Sequence, residues 1–445
     1  MFTNVCSGKL QKTIQLSVLM LLTGCATSLD ATKDLERATL LAQNRLPVQV
    51  DPSLSWDYRE PLTIESAISY AIMHDAKLQH EFSIIVQRRA EIAKSSLPAN
   101  PTFSGAFGIA IDGLAGAPII MQGMQGLSWL WTRPERIAAA EQTLQQSILS
   151  AAHRTITLVA EVRKAYAEVW FNQNHLQIAE LKNGLAIESF EITTQLAQAG
   201  EASSLEVDSA NATVIRSNHA VVEQQQSVQL SKLRLLNAMG CPNQLEAFVI
   251  VSDEWSTRTF DSYEELQLLE LAVSNRLDLA TKRAVVQQRS SELGIANPPL
   301  LSGSVGFNEN FGDRQAITPG GSITIALDGD AKETIAQAKL HQAELAYIDA
   351  LRTTQFEVRT ALELFNTAKK QAVIIDKELI STLNMKLQRA NDTFRAGELH
   401  PLERLSIENE VLVANSLIIT DELNLALAAI RLEVAVGGTF QGLQK

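Results

Sequence analysis

Cysteine is nearly absent: Cys6, Cys25 and Cys241 are the three thiols in 445 residues. Three thiols cannot build a disulfide framework or a four-ligand structural zinc site. Aromatic residues are 5% of the chain, with 22 glycines and 12 prolines, which excludes collagen-like, mucin-like and broadly disordered chains. Positive charge is also scarce. Lys and Arg number 38 against 50 Asp and Glu, a formal net charge of −12, so no basic face is offered to nucleic acid. Beyond the N-terminus no uninterrupted apolar run reaches the ~18 residues of a spanning helix. A lipid anchor and a barrel of strands ~10 residues long both survive that test. Local chemistry is missing too. The seven histidines show no i,i+3 or i,i+4 pairing, and H-E-x-x-H, phosphate-loop and nucleophile-elbow patterns do not occur. The chain therefore does not read as an enzyme. No catalytic, cofactor-binding or metal-ligating residue is expected.

What is present begins with an address. Lys9 and Lys12 precede a short apolar run from Ile14 to Leu22, which reads as a signal peptide over residues 1–24. It ends in Leu22-Thr23-Gly24-Cys25, which resembles a bacterial lipobox and implies cleavage before Cys25 and lipidation there. An ordinary signal with an incidental cysteine is the alternative. Ala26 in place of Asp implies sorting to the outer membrane. Cleavage would remove two lysines and no acid, taking the charge from −12 to −14.

The chain is written twice. Ala99-Asn100-Pro101 recurs as Ala296-Asn297-Pro298, Glu161-Val162-Arg163 as Glu357-Val358-Arg359, Ala199-Gly200-Glu201 as Ala396-Gly397-Glu398, and Gly240 as Gly437. A period near 200 is a duplicated domain-sized unit, not a solenoid repeat. The expected units are 61–240 and 262–438. An N-terminal segment 26–60, an inter-repeat segment 241–261 and a tail 439–445 surround them.

Each half carries one very long helix, expected at 133–198 and 331–395. Thr132-x-x-Glu135 and Asp330-x-x-Glu333 read as their capping boxes. Val159, Val162, Tyr166 and Val169 have coiled-coil spacing. About 66 residues at ~1.5 Å each span roughly 100 Å, so such a helix must project and pack on neighbours. Gly200 and Gly397 end the two helices, and the chain reverses at tips 199–204 and 396–401. Ser203-x-x-Glu206 opens one return helix and His400-Pro401-Leu402-Glu403 the other. Shorter helices, about 63–95 and 263–294, lie upstream, the second capped by Ser262-x-x-Glu265.

Between them lie strands, about 102–131 and 301–327. Phe103, Gly105, Phe107, Ile109 and Ile111 alternate with small residues, as do Leu301, Gly303, Val305 and Phe307. Soluble hairpins packed on a helix would show the same period. Strands near ten residues with a small, polar opposite face favour a membrane barrel with a wet lumen. Four strands cannot close one, and an open edge cannot persist in lipid, so two or three chains must share it. Trp129 and Trp131 fit either an interfacial girdle or packing at a strand end.

These features together resemble TolC-type outer-membrane efflux proteins over most of the chain, from about Pro61 to Gly438. The join Trp129-Leu130-Trp131-Thr132-Arg133-Pro134 departs from the family's. The resemblance implies a mostly α fold with a shared transmembrane β-barrel: a homotrimer with one 12-stranded β-barrel above a periplasmic α-barrel. It implies a lipid-anchored exit duct in the outer membrane. Its implied partners are outer-membrane lipid, a periplasmic adaptor and an inner-membrane pump of the RND type. Adaptor docking is carried over to Gly200, Glu201, Ser203, Gly397, Glu398 and Leu399. A periplasmic gate is carried over to Glu403 and Glu206. Both glutamates also sit where a carboxylate caps a helix and favours its dipole. Cargo stays open among drug-like molecules, metal ions and polypeptides. A lipid-anchored coiled-coil scaffold and an outlet for protein secretion are the alternatives.

Overall fold

The computed structural model describes residues 29–46, 56, 59–98, 100–107, 119–127, 129–241, 248–251, 264–296, 301–311, 316–325 and 329–438. The expected signal peptide, the Cys25 lipidation site and the tail 439–445 lie outside the described residues, as do parts of 26–60 and 241–261.

In chain order the elements are α1 (Thr32–Gln43), α2 (Ile64–His74), α3 (Ala76–Ser96), β1 (Thr102–Phe107), β2 (Ile119–Gly126), α4 (Trp129–Gln198) and α5 (Ser204–Ala238). Then come α6 (Glu265–Asn275), α7 (Leu277–Ala296), β3 (Leu301–Phe311), β4 (Ala316–Ile325) and α8 (Gly329–Ile374). A π-helical turn (Ile375–Ile380), α9 (Ser381–Arg395) and α10 (Pro401–Val436) complete the series.

Several expected boundaries move. Each upstream helix is two helices, broken at one extended residue: Asp75 (φ −66°, ψ 112°) and Arg276 (φ −67°, ψ 121°). Asp75 makes the first break self-capping, since its Oδ1 accepts the Leu78 N–H at 2.7 Å. The helix α4 starts at Trp129, so Pro134 lies inside it and Thr132-x-x-Glu135 is not its cap. The Leu130 N–H already bonds the Leu127 carbonyl at 3.1 Å. Pro134 therefore forfeits one i→i−4 bond, to the Leu130 carbonyl, early in the helix. Trp129 and Trp131 are therefore first-turn helical residues. Likewise α8 starts at Gly329, which puts Asp330 within the first turn instead of at the cap. Ser262 lies outside the described residues, and Glu264 occupies the cap of α6. The second long helix is not continuous but interrupted by the π turn.

The chain divides into two units. The first comprises the stretch to Ala38, Glu81–Ser150 and Asp278–Ala350. It holds one sheet in the order β1-β2-β3-β4, every pair antiparallel. The two hairpins thus join through β2 and β3. In this unit α1 is fixed to α3: Arg89 donates from Nε and Nη2 to the two oxygens of Asp34 at 2.7 and 2.6 Å.

The second unit comprises Thr39–His80, Ala151–Leu277 and Leu351–Lys445. Its core is helical. Leu268 and Ala272 of α6, Val358, Ala361 and Phe365 of α8, and Leu432 and Val436 of α10 form one buried cluster. Ala167 and Phe171 of α4 pack on Ala426 of α10 in another. Small residues at these positions let the helices approach closely. By length and mean hydropathy (1.5 over its best window) α10 could cross a membrane. Here it is partly buried, and its buried Glu433 pairs with Arg163. A short parallel bridge joins Leu62 to Ile250. The buried Tyr166 hydroxyl lies 3.0 Å from the Leu62 carbonyl and 2.8 Å from that of Val251, so α4 pins both segments. Nearby, Tyr70 hydrogen-bonds Cys241, and that bond, then burial, pushes its hydroxyl pKa up to about 12.

Candidate functional site

Two places could carry function: the strand wall and the helix tips. The wall is set by register. Phe103 pairs with Gly123, Gly105 with Met121 and Phe107 with Ile119. The same row continues through Phe307, Phe311, Val305 and Glu309 of β3. It then reaches Pro319, Ile317 and Ile323 of β4. Apart from Gln125 and Glu309, that row is apolar or glycine. Phe103 is 72% exposed and Met121 50%, so one face offers apolar surface uncovered by this chain. The alternate row holds Thr102, Ser104, Gln122, Asn308, Asn310, Ser304, Ser322 and Thr324. One row is thus apolar and the other mostly small and polar, though it includes Ile120 and Met124, and among the described residues both outer strands, β1 and β4, keep an open edge.

The two tips share one backbone device. Gly200 has φ +80° and Gly397 φ +76°. The Gly200 N–H bonds Ala197 O and the Glu201 N–H bonds Leu196 O; Gly397 bonds Phe394 O and Glu398 bonds Thr393 O. Each is a Schellman cap, which needs the left-handed conformation glycine adopts freely. The return helices are capped differently. The Ser203 hydroxyl accepts the Glu206 N–H at 3.3 Å, and Glu206 Oε2 accepts the Ser203 N–H at 2.6 Å. On the other tip Nδ1 of His400 accepts the Leu402 N–H at 3.3 Å, with Pro401 in the first turn. So of the two candidate gate residues, Glu206 is engaged in a cap. That bond to the Ser203 backbone, then its hydroxyl, holds the carboxyl below its ordinary 4.5. Glu403 is exposed, and its carboxylate makes no hydrogen bond or ion pair among the described residues.

One contact near the tips is not legible in the sequence. Arg404 on α10 donates to Glu188 of α4 at 3.0 Å and to Glu408 at 3.1 Å, and lies over the Phe394 ring at 5.4 Å. The i,i+4 pair with Glu408 has a sequence signal. Glu188, 216 residues away, has none. Farther along, His175 on α4 lies 3.3 Å from the Ser416 hydroxyl and 3.4 Å from that of Thr420. Beside it runs a groove of about 610 Å³ lined by His175, Lys182, Arg216, Leu405 and Asn409 among others. Burial, then Lys182, lowers the His175 pKa, and burial lowers that of Lys182. Among the described residues no three His, Cys, Asp or Glu side chains cluster as a metal site requires.

The sheet's apolar row is followed in the chain by helices of up to 70 residues. Residues 131–241, essentially α4, its tip and α5, match the family model described as outer membrane efflux protein. The fold is similar to that of CusC, at 18% identity and a TM-score of 0.70, covering 88% of this chain and 97% of that one. The MtrE outer membrane channel of Neisseria gonorrhoeae gives 16%, 0.65, and coverage of 84% and 89%. The CmeC outer membrane channel of Campylobacter jejuni gives 14%, 0.64, and coverage of 95% and 90%. No curated protein matches the sequence. The chain thus has the fold of these solved structures, and the family model matches its residues 131–241.

Proposed function

We propose that this protein is the outer-membrane exit duct of a tripartite efflux system. It passively conducts small molecules or metal ions that an RND-type inner-membrane pump and a periplasmic adaptor deliver. The observation that carries this reading is the sheet: four antiparallel strands, one apolar and one mostly polar row, and, among the described residues, open edges at β1 and β4. Lipid tolerates no open edge, and eight strands are the practical minimum for closure. Three copies would close a 12-stranded barrel, β1 of one against β4 of the next. The two halves, 61–240 and 262–438, are read as one duplicated unit. Their matching helix breaks, Asp75 and Arg276, and their paired glycine caps support this. The tip residues Gly200, Glu201, Ser203, Gly397, Glu398 and Leu399 would receive the adaptor. Glu403 is the better gate candidate, because Glu206 is occupied in its cap. A lipid on Cys25 would anchor the chain in the membrane its barrel spans.

Native mass spectrometry of protein extracted from outer membranes tests this. A lipidated trimer that conducts ions in planar bilayers is expected. A lipidated monomer without conductance would replace the duct with the coiled-coil scaffold.

A further inference from the structure

The two long helices differ in one respect that their buried residues locate. In α4 the buried positions include Leu158, Val162, Ala165 and Val169; in α8 they include Thr354, Val358, Ala361 and Phe365. These correspond one to one at a spacing of 196 residues. Farther toward the tips, buried Thr193 corresponds to buried Ala390, and Gly200 to Gly397, at a spacing of 197. The second copy therefore holds one residue more than the first between Phe365 and Ala390. The π turn at Ile375–Ile380 falls inside that interval, and α4 runs through the matching interval as uninterrupted α-helix.

An extra residue in an α-helix would rotate everything beyond it by ~100° and carry the buried stripe off its partners. A π turn closes on i→i+5 and takes up that residue locally, leaving both flanks in phase. The interval also buries few side chains. No described residue from Lys369 to Arg389 is buried, whereas the matching stretch of α4 buries Ile178 and Ala186. Val373 and Ile374, just before the turn, are 45% and 53% exposed. Beyond the turn, Lys386 ties α9 to Glu410 of α10 at 2.6 Å, so the tip hairpin keeps its own brace.

We infer that the π turn absorbs a one-residue insertion in the second copy and makes 375–380 the place where the second tip hairpin yields, while the first stays stiff. The inference rests on the duplication proposed above, but not on the duct. Amide hydrogen exchange on the purified full chain tests it in any oligomeric state. Amides 375–380 should exchange at least ~10-fold faster than 178–183 of α4, as a locally opening segment does. Equal protection would overturn the hinge. Deleting Lys377 should leave a continuous helix, keep melting within about 3 °C of the parent and bring 375–380 to the protection of α4. Deleting Leu181 from α4 has no π turn to absorb it, and should lower melting by about 10 °C or more. If the Lys377 deletion is as damaging as the Leu181 deletion, the insertion reading fails. Exchange on the unaltered chain still decides the hinge.

Discussion

A β-carbon placed on Gly437 would lie 2.8 Å from the backbone nitrogen of Arg276. Gly437, at φ +92°, ends α10 against the one-residue break that separates α6 from α7. Gly240, at φ +70°, meets the first break in the same way, a β-carbon there lying 3.0 Å from the His74 carbonyl oxygen. The close approach of a helix end to a helix break thus occurs twice. Gly200 has a similar backbone but open space around it. Gly200→Ala should cost only the left-handed strain, about 1–2 kcal/mol. Gly437→Ala adds a backbone collision that no side-chain rotation relieves, and about 3 kcal/mol or more is expected. Thermal unfolding of the two variants side by side checks the ordering.

Much of this was readable in advance, for definite reasons. Glycine caps leave a signature because few residues adopt positive φ, so Gly200 and Gly397 ended helices as their positions suggested; Gly240 and Gly437, noted in sequence only as a repeat, have positive φ too. Alternation along Phe103–Phe107 was readable because a strand exposes its two faces differently. The start of α4 was not. A proline with a capping box marked a boundary at 132, but the Leu127–Leu130 bond carried the helix further back. The π turn was also hidden, since it reflects a mismatch between two distant halves and not a local motif. The union of both hairpins through β2 and β3 and the Arg404–Glu188 pair are long-range, and spacing does not encode them.

Asp34 is 6% exposed and accepts both bonds from Arg89. Bidentate charge-assisted pairs of this kind exceed ordinary hydrogen bonds, though partial exposure of Arg89 (30%) screens the charge. Asp34→Asn keeps the volume but loses the fork. We expect faster amide exchange across Thr32–Gln43 and a local loss of about 1–2 kcal/mol. Arg89→Lys should rescue poorly, since an ammonium cannot make the two parallel bonds.

Tyr166→Phe removes a buried hydroxyl that serves the carbonyls of Leu62 and Val251. The ring volume is kept, so the loss should be about 1–2 kcal/mol and confined. Protection should fall at the Leu62 and Val251 amides, which bond Val249 O and Leu62 O. The Phe171 core should be untouched. A global loss of protection would show that Tyr166 does more than pin this bridge.

The two candidate gate glutamates separate by pH and by charge. Hydrogen bonds from Ser203 depress the Glu206 pKa below 4.5 in the folded chain. A depressed carboxylate contributes stability that is present above its unfolded pKa and is lost as pH falls through the folded value. The first tip should therefore hold its cap at neutral pH and release it below about pH 4.5, read as rising exchange at the Ser203 and Glu206 amides. Glu206→Gln should flatten that dependence, because the amide has no charge to lose. The second tip has no carboxylate in its cap, where the acceptor is Nδ1 of His400. Glu403 offers the opposite pattern. It is exposed and holds no cap, so Glu403→Gln should leave tip protection unchanged. If three copies ring the periplasmic mouth, the same change removes three negative charges from the path and lowers cation preference in planar bilayers, most at low salt. Selectivity that moves with Glu206→Gln and not with Glu403→Gln would transfer the gate to the first tip.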